Sequence, residues 1–587
     1  GYYENVDTLP SGSTNETIDK MSSVNLFTNV YTVYEYNADG SYIIENGQRK
    51  ISYKINASLV NPENPQAREN YVWMKSSDEY LSKYKLAGYS NFATIKNSQE
   101  LIEALSKPDN SRFYTMNTLS TDEGGKYVID LTEISNRSNF ARFNTVFRGV
   151  LTGMVDEDGN RPTVILKTGQ VVDDEYYSVY ALLNEINGAV ISNIDFVIEI
   201  DNSRNVGKIY GSENGNFGLI ATRVNLSTIE DCTFTIKSNN GNLKFELAYN
   251  EIEEGFNNVN NFGLIFGEVT ASNIVGKDNG IVKLTVDDGI QELSIRTGVA
   301  STIGGFIGLA QSSSLYNISI QSDDKLKLNA LVNYGRTTNN KIDLNFAGFV
   351  AKSASNSISS IEFKNINVNS DYDLNSNYLS NMRRYGVYFD IYIGGVVASS
   401  AYSTITNVYN NSGMNINLQR DGVEETLKKS TYSIYVGGIA GSILNTNIVN
   451  SKAGTLNVSE ILVNAHYFYN YIGGLVGFVQ DNSSISGNKE SKNDYGNYSS
   501  IQASILVNAK DNAYIGGLIG YNKASGNVLT NMFNLGEVSV TNVTLLSESC
   551  SSVGIINLGG LVGYSDNGTY KNVYNAGDVK AVQSDTV

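Results

Sequence analysis

The stretch Tyr514-Ile515-Gly516-Gly517-Leu518-Ile519-Gly520 recurs along the chain. Close variants stand at Ile303-Gly304-Gly305-Phe306-Ile307-Gly308, Ile393-Gly394-Gly395-Val396-Val397, Val436-Gly437-Gly438-Ile439-Ala440-Gly441, Ile472-Gly473-Gly474-Leu475-Val476-Gly477 and Leu558-Gly559-Gly560-Leu561-Val562-Gly563. Weaker copies are Phe217-Gly218-Leu219-Ile220, Phe262-Gly263-Leu264-Ile265-Phe266-Gly267 and Ala347-Gly348-Phe349-Val350. With the second glycine as marker, positions 218, 263, 305, 348, 395, 438, 474, 517 and 560 are 45, 42, 43, 47, 43, 36, 43 and 43 residues apart. A sustained period of this length marks a repeat architecture.

Two further markers keep step. Asn317, Asn407, Asn450 and Asn572 each lie twelve residues after the second glycine, and Asn193 lies twelve after Ala181 in a degenerate copy, Ala181-Leu182-Leu183. Asn488 and Asn531 lie fourteen after theirs. Tyr392, Tyr435, Tyr471 and Tyr514 each stand two residues before the first glycine, in four successive repeats.

Helical repeats are excluded on propensity, because glycine costs about 1 kcal/mol in a helix interior. Short apolar runs bounded by Asn, Ser and Gly read as strands. A propeller blade has a similar period, but the Trp-Asp signature is missing and nine or ten blades are excessive. The expected fold is all-β, a parallel β-helix of about ten repeats of roughly 43 residues. Equivalent positions then stack roughly 4.8 Å apart. Asn above Asn is expected to exchange amide hydrogen bonds, and Tyr above Tyr to stack. The paired glycines are expected to allow a bend or bulge. Apolar residues occur at both parities of the motif, so it reads as one strand apolar on both faces. The surplus residues of each period are expected to leave the coil and pack on its outer face; the alternative is two coils per repeat.

Residues 1–90 lie outside the repeat and read as a small β-rich domain. Alternation at Tyr31-Thr32-Val33-Tyr34-Glu35-Tyr36 and Ile51-Ser52-Tyr53-Lys54-Ile55 suggests strands, and Asp39-Gly40 and Asn46-Gly47 suggest hairpin turns. The only tryptophan, Trp73, reads as core. Residues 91–130 read as a cap. Asn97-Ser98-Gln99-Glu100 fits a capping box ahead of the helix-like Leu101-Ile102-Glu103-Ala104-Leu105, with Pro108 beyond. Residues 131–587 form the β-helix. The start at Gly1 and the stop at Val587 directly after a repeat are expected of a piece of a longer polypeptide.

Sixty acidic residues against 43 basic give a net charge of −17. That disfavours nucleic acid, whose phosphates need clustered Lys and Arg. No run of 18 apolar residues spans a membrane. Charged residues are only 18% of the chain, and Asn, Ser, Thr and 39 tyrosines carry its polarity. Cys232 and Cys550 lie too far apart in a stacked array to pair, and read as free thiols.

The Gly-Gly-Leu-Val-Gly cores at 473–477 and 559–563, with their Asn-aliphatic followers, resemble GLUG-motif repeats, as does Asn572-Val573-Tyr574-Asn575-Ala576-Gly577-Asp578-Val579. The resemblance covers roughly residues 140–587. Such repeats occur in large bacterial surface proteins, including the non-catalytic region of immunoglobulin A-type zinc metallopeptidases. The resemblance implies secretion and display on a bacterial cell surface.

Catalytic constellations are sparse. A zinc peptidase needs His-Glu-x-x-His, and the chain has one histidine, His466. Polysaccharide lyases and hydrolases need convergent carboxylates; Asp173-Asp174, Asp287-Asp288 and Asp323-Asp324 sit in dissimilar turn-like contexts. Asp156-Glu157-Asp158-Gly159-Asn160 has its glycine misplaced for a calcium loop. No cofactor or metal set is identified. Tyr385-Gly386-Val387-Tyr388-Phe389 and Tyr467-Phe468-Tyr469 offer flat apolar faces to a glycan or protein. The expected function is a non-enzymatic structural or adhesive rod, whose partners are a surface protein, a glycan or itself. A spacer of a secreted metallopeptidase and a β-helix polysaccharide lyase or hydrolase are the alternatives.

Overall fold

A computed structural model describes the short strands at 30–34, 44–45, 48–49, 51–56 and 73–75. It then describes 92–584 except 107–112, 117–127, 133–137, 154, 156–158, 249–256, 278–279, 288, 298–301, 334–340, 374–387, 411–412, 420–430, 462–466, 488–495, 498–500, 506–511 and 544–554.

The chain is a parallel β-helix with one coil per repeat. A representative coil runs through Asn512–Gly516, Ile519–Asn522, Asn527–Thr530, Phe533–Asn534 and Val538–Val543, and the next opens at Ile555–Gly559. Each strand pairs in parallel with its equivalent one repeat away, as Ile472↔Ile515↔Leu558. Three sheets result: nine strands ahead of the glycine corner, eleven strands after it, and a 32-stranded wide sheet that takes the remaining segments of each coil. At about 4.8 Å per step, eleven stacked strands extend roughly 48 Å. In the wide sheet inward and outward residues alternate, as in Asp195–Ile200, where Phe196, Ile198 and Ile200 are buried. Phenylalanines fill the interior of the early coils, with Phe196 stacked on Phe234 at 5.6 Å and Phe306 on Phe349 at 5.6 Å.

The glycine motif is a corner between two strands, which corrects its reading as a single strand. The chain bends at Gly517 and Leu518, and the bend resets the alternation. Ile515 before it and Leu518 and Ile519 after it are therefore all fully buried. A Cβ on Gly516 would lie 2.0 Å from the Ile519 carbonyl oxygen; one on Gly517 would lie 2.0 Å from that of Gly560 and 2.5 Å from Asn534 Nδ2. The third glycine has a different role. A Cβ on Gly520 would lie 2.6 Å from Ile472 N, so the post-corner strand lies directly against the pre-corner strand of the preceding coil. The two strands cover each other. The links that lead back to the pre-corner strands fall largely at 298–301, 334–340, 374–387, 420–430, 462–466, 506–511 and 544–554, outside the described residues.

Register also revises the spacing. Gly263 stacks on Gly304, the first glycine of its motif, so the steps Phe217, Phe262, Ile303 and Phe346 are 45, 41 and 43 residues.

Helix α1 (Ser98–Ser106) begins as its sequence suggests. The Glu100 N–H donates to Asn97 Oδ1 at 3.0 Å, and Glu100 Oε2 accepts from the Lys96 N–H at 2.7 Å. Its buried face, Leu101, Ala104 and Leu105, meets the outermost post-corner strand, Ala141–Phe147, where the Thr145 hydroxyl donates to the Leu105 carbonyl at 2.7 Å. The segment around α1 also supplies strands. Phe92–Ile95 and Phe113–Met116 pair in parallel, and the latter pairs with Val150–Gly153, so parallel stacking starts ahead of residue 131. In the first ninety residues Val30–Tyr34, Ile51–Asn56 and Trp73–Lys75 form a separate antiparallel sheet.

Candidate functional site

The strands on either side of the corner enclose an outward cleft that runs along the axis. Its pre-corner wall is one column of stacked residues: Asn216, Asn261, Thr302, Asn345, Tyr392, Tyr435, Tyr471, Tyr514 and Asn557. Its post-corner wall is Glu185, Arg223, Glu268, Leu309, Lys352, Ser399, Ser442, Phe478, Tyr521 and Tyr564.

The early part is mostly polar, and its pre-corner groups bond to one another. Asn261 Nδ2 donates to Asn216 Oδ1 at 2.8 Å, the Thr302 hydroxyl to Asn261 Oδ1 at 2.7 Å, and Asn216 Nδ2 to Glu268 Oε2 at 2.6 Å. Arg223 lies between Glu185 and Glu268, 3.9 and 3.7 Å away. Two carboxylates do come together here, but a guanidinium stands between them.

The late part is aromatic. Tyr392, Tyr435, Tyr471 and Tyr514 stack nearly parallel, with centroids 4.6, 4.8 and 5.3 Å apart. Phe478, Tyr521 and Tyr564 meet them from the opposite wall, Tyr471 to Phe478 at 5.2 Å and Tyr514 to Tyr521 at 4.8 Å. Burial pushes the Tyr435 phenol up to about 12, and raises Tyr392, Tyr471, Tyr514 and Tyr521 as well. Within the stack the ring faces are covered by neighbouring rings, so they are not free to stack on a sugar. The cleft offers ring edges and hydroxyls instead.

The asparagine markers have a different cause from the one their stacking suggested. Asn193, Asn317, Asn407, Asn450, Asn531 and Asn572 all have φ between 50° and 55°, the left-handed conformation that asparagine tolerates best after glycine. Asp231 and Ser360 take the same slot with φ of 50° and 56°. A hydrogen bond between side-chain amides of successive coils is made by Asn572, whose Nδ2 donates to Asn531 Oδ1 at 3.0 Å. Asn317 and Asn531 donate to the carbonyls of Gly280 and Gly487 instead. Asn488 lies outside the described residues.

A longer ladder escaped the sequence reading. The residue after each post-corner strand's turn, namely Ser227, Ser272, Ser313, Asn356, Ser403, Thr446 and Ser483, is buried. Its side-chain oxygen accepts the backbone N–H of the equivalent residue one coil earlier, at 2.8–3.3 Å, from Ala189 through Thr446. The preceding residues Leu226, Ala271, Ser312, Ser355, Tyr402 and Asn445 all have positive φ, as does Asp481, two before Ser483. That conformation costs roughly 1–2 kcal/mol each in non-glycine residues, offset here by the ladder. The signal was legible as a small polar residue two before an aliphatic one, as in Ser272-Asn273-Ile274 and Ser403-Thr404-Ile405. A second omission is a set of interior amides facing the second glycine. Asn410 Nδ2 donates to the Gly438 carbonyl at 2.9 Å, and Asn534 Nδ2 to Asn575 Oδ1 at 2.8 Å.

The remaining candidates do not converge. Cys232 is fully buried, and burial pushes its thiol up to about 12. Asp173 caps a hairpin turn: backbone N–H groups of Glu175 and Tyr176 donate to its Oδ1 and hold its carboxyl below the usual range. Asp287 accepts from the Gly289 N–H at 3.3 Å. His466, Cys550, Asp288, Asp156-Glu157-Asp158, Tyr385-Gly386-Val387 and the side chains of Trp73, Asp323 and Asp324 lie outside the described residues. Among the described residues no helix is long and apolar enough to cross a membrane. The chain matches no protein family, no curated protein and no solved structure.

Proposed function

We propose that the chain is a non-enzymatic structural and adhesive rod of a bacterial cell surface, which meets a surface protein or glycan along its side. The observation that carries this reading is the continuity of the stack. Eleven post-corner strands follow one another in register, with a buried side-chain ladder through eight consecutive coils. Such an array holds a fixed length and repeats one lateral surface along it. In the cleft, Glu185 and Glu268 flank Arg223 at 3.9 and 3.7 Å. The resemblance of the repeats to GLUG motifs supports surface display.

The test is to incubate the purified chain with immobilised cell-surface glycans and proteins, and separately with soluble polysaccharides. Saturable binding without release of shortened glycans supports the rod. Release of reducing or unsaturated ends that persists on repurification overturns it in favour of a lyase or hydrolase.

A further inference from the structure

The amides of the early cleft and the hydroxyls of the buried turn ladder bond within the chain. One lateral field in the middle coils does not. It takes in the first outward positions of the wide sheet, where Ser314, Ser357 and Thr404 stack in one column and Tyr316, Ser359 and Thr406 in the next. Among the described residues, the hydroxyls of these six side chains have no hydrogen-bond partner within the chain. The field is also uncharged. The equivalent positions carry no Asp, Glu, Lys or Arg from Asn273 and Val275 through Asn447 and Val449. Two rings stand on it. Tyr316 is 46% exposed, and Tyr402, in the turn two residues before Thr404, is 64% exposed. They lie two coils apart, about 10 Å along the axis. Neither touches another ring among the described residues. Neither is needed by the coil. Tyr402 has a φ of 53°, where a bulky side chain is an outlier, and Ser312, Ser355 and Asn445 hold the same slot in other coils. Tyr316 has Val275 and Ser359 as its equivalents on either side.

We propose that this field binds a neutral oligosaccharide laid along the rod, with sugars stacked on Tyr316 and Tyr402 and hydrogen-bonded by Ser357, Ser359, Thr404 and Thr406. The proposal rests on the reading of the chain as a rod that meets its ligands along its side, and names the class and the place. An exposed phenol ring offers a flat apolar face to the C–H side of a sugar, and its hydroxyl stays free to bond. Free hydroxyls stacked about 4.8 Å apart meet the dense hydroxyls of a glycan as both donors and acceptors. An anionic chain finds no cation in the field, and a basic peptide finds no carboxylate. A protein partner anchors its large side chains in desolvated pockets, and this field is an open sheet of hydroxyls. Rings about 10 Å apart cannot both cover one sugar, so the ligand is an oligosaccharide.

The full chain is titrated by calorimetry with neutral oligosaccharides of glucose, galactose and mannose, and with acidic oligogalacturonate. Saturable binding of a neutral oligosaccharide is expected, and none of the acidic one. Tyr402→Asn and Tyr316→Ser write in residues that neighbouring coils carry at the same positions, Asn445 and Ser359. Both variants are therefore expected to keep the urea midpoint of the parent chain. Each is expected to weaken neutral-glycan binding about tenfold. Neutral-glycan binding that is unchanged in both variants overturns this site and leaves the rod reading standing, with its contact elsewhere. Binding of the acidic oligosaccharide alone, or of none of them, also overturns the site. The rod reading is then decided by its own test on immobilised surface proteins, and a purified surface protein that binds the parent chain and not Tyr402→Asn assigns the field to a protein instead.

Discussion

The coils from Asn216 to Asn345 and those from Tyr392 to Tyr564 close the same cleft by opposite chemistry. Both use the same corner, the same parallel register and the same close approach of pre- and post-corner strands. In the early coils Asn216, Asn261, Thr302 and Glu268 are joined by directional bonds of 2.6–2.8 Å, and Arg223 lies 3.7–3.9 Å from Glu185 and Glu268. In the late coils it is filled by rings that contribute buried area and stacking. The junction lies at Asn345, which stacks beneath Tyr392 and accepts from the Ser399 hydroxyl at 2.5 Å. The small Ser399 and Ser442 precede Phe478 in the opposite column, so the walls change character out of step and leave room for the first two rings. The difference teaches that the backbone ladder and the glycine corner define the fold. The cleft accepts columns of either chemistry.

Breaking the shared element is expected to have the largest effect, and an equal one in both halves. A Cβ on Gly305 would lie 2.1 Å from the Gly348 carbonyl oxygen, and one on Gly438 would lie 2.3 Å from that of Gly474 and 2.5 Å from Ala453 Cβ. The obstacles are backbone or packed interior, which cannot swing aside. Gly305→Val and Gly438→Val are each expected to cost about 4 kcal/mol in urea unfolding. A neutral result at either would show that the corner is not common to the two halves.

The columns themselves come next. Tyr435 stacks on two neighbours at 4.6 and 4.8 Å. Tyr435→Asn, which writes the polar half's residue into the aromatic half, is expected to cost about 3 kcal/mol from stacking and lost burial. Asn261→Ala removes one bond to each neighbour and is expected to cost about 1–2 kcal/mol. A greater loss at Asn261 than at Tyr435 would reverse the comparison. Alkali probes the late half through Tyr435. The folded Tyr435 phenol titrates at about 12 and the unfolded one near 10. The folded state therefore holds the proton longer, and its stability is complete below pH 10 and falls from there to about 12. The slope for one such phenol is at most about 1.4 kcal/mol per pH unit. Tyr435→Phe is expected to flatten the fall seen by circular dichroism between pH 10 and 12, while Asn261→Ala leaves its slope unchanged.

Much of this was legible because a parallel coil writes each position once per period. The spacing of the glycine motifs revealed the coil, and Tyr392, Tyr435, Tyr471 and Tyr514 announced the column they form. What sequence could not show was direction. Ile515 and Leu518 read as opposite faces because a bend at Gly517 leaves no mark on alternation. The asparagines read as an amide ladder because side-chain chemistry is visible in sequence and a positive φ is not. The cleft was missed because its walls come from two strands whose close contact depends on glycines such as Gly520, and a missing side chain does not say what lies against it.

The smallest expected effect has the opposite sign. The core-facing column beside the rings reads Leu344, Ile391, Ile434, Asn470 and Ala513, all buried to within 2%. Asn470 breaks the aliphatic run, and neither its Oδ1 nor its Nδ2 meets a partner among the described residues. An amide buried without partners forfeits its hydrogen bonds to water and gains nothing in return. Isoleucine continues the column below it, and the small Ala513 above leaves space for the added methyl group. Asn470→Ile is expected to raise stability by about 1 kcal/mol in urea unfolding, with the slope of the transition unchanged. A loss instead would show that the amide is held by an ordered water, since buried polar groups are commonly satisfied that way. The aromatic half would then share the directional bonding that marks the polar one, and the contrast between them would narrow to the cleft wall alone.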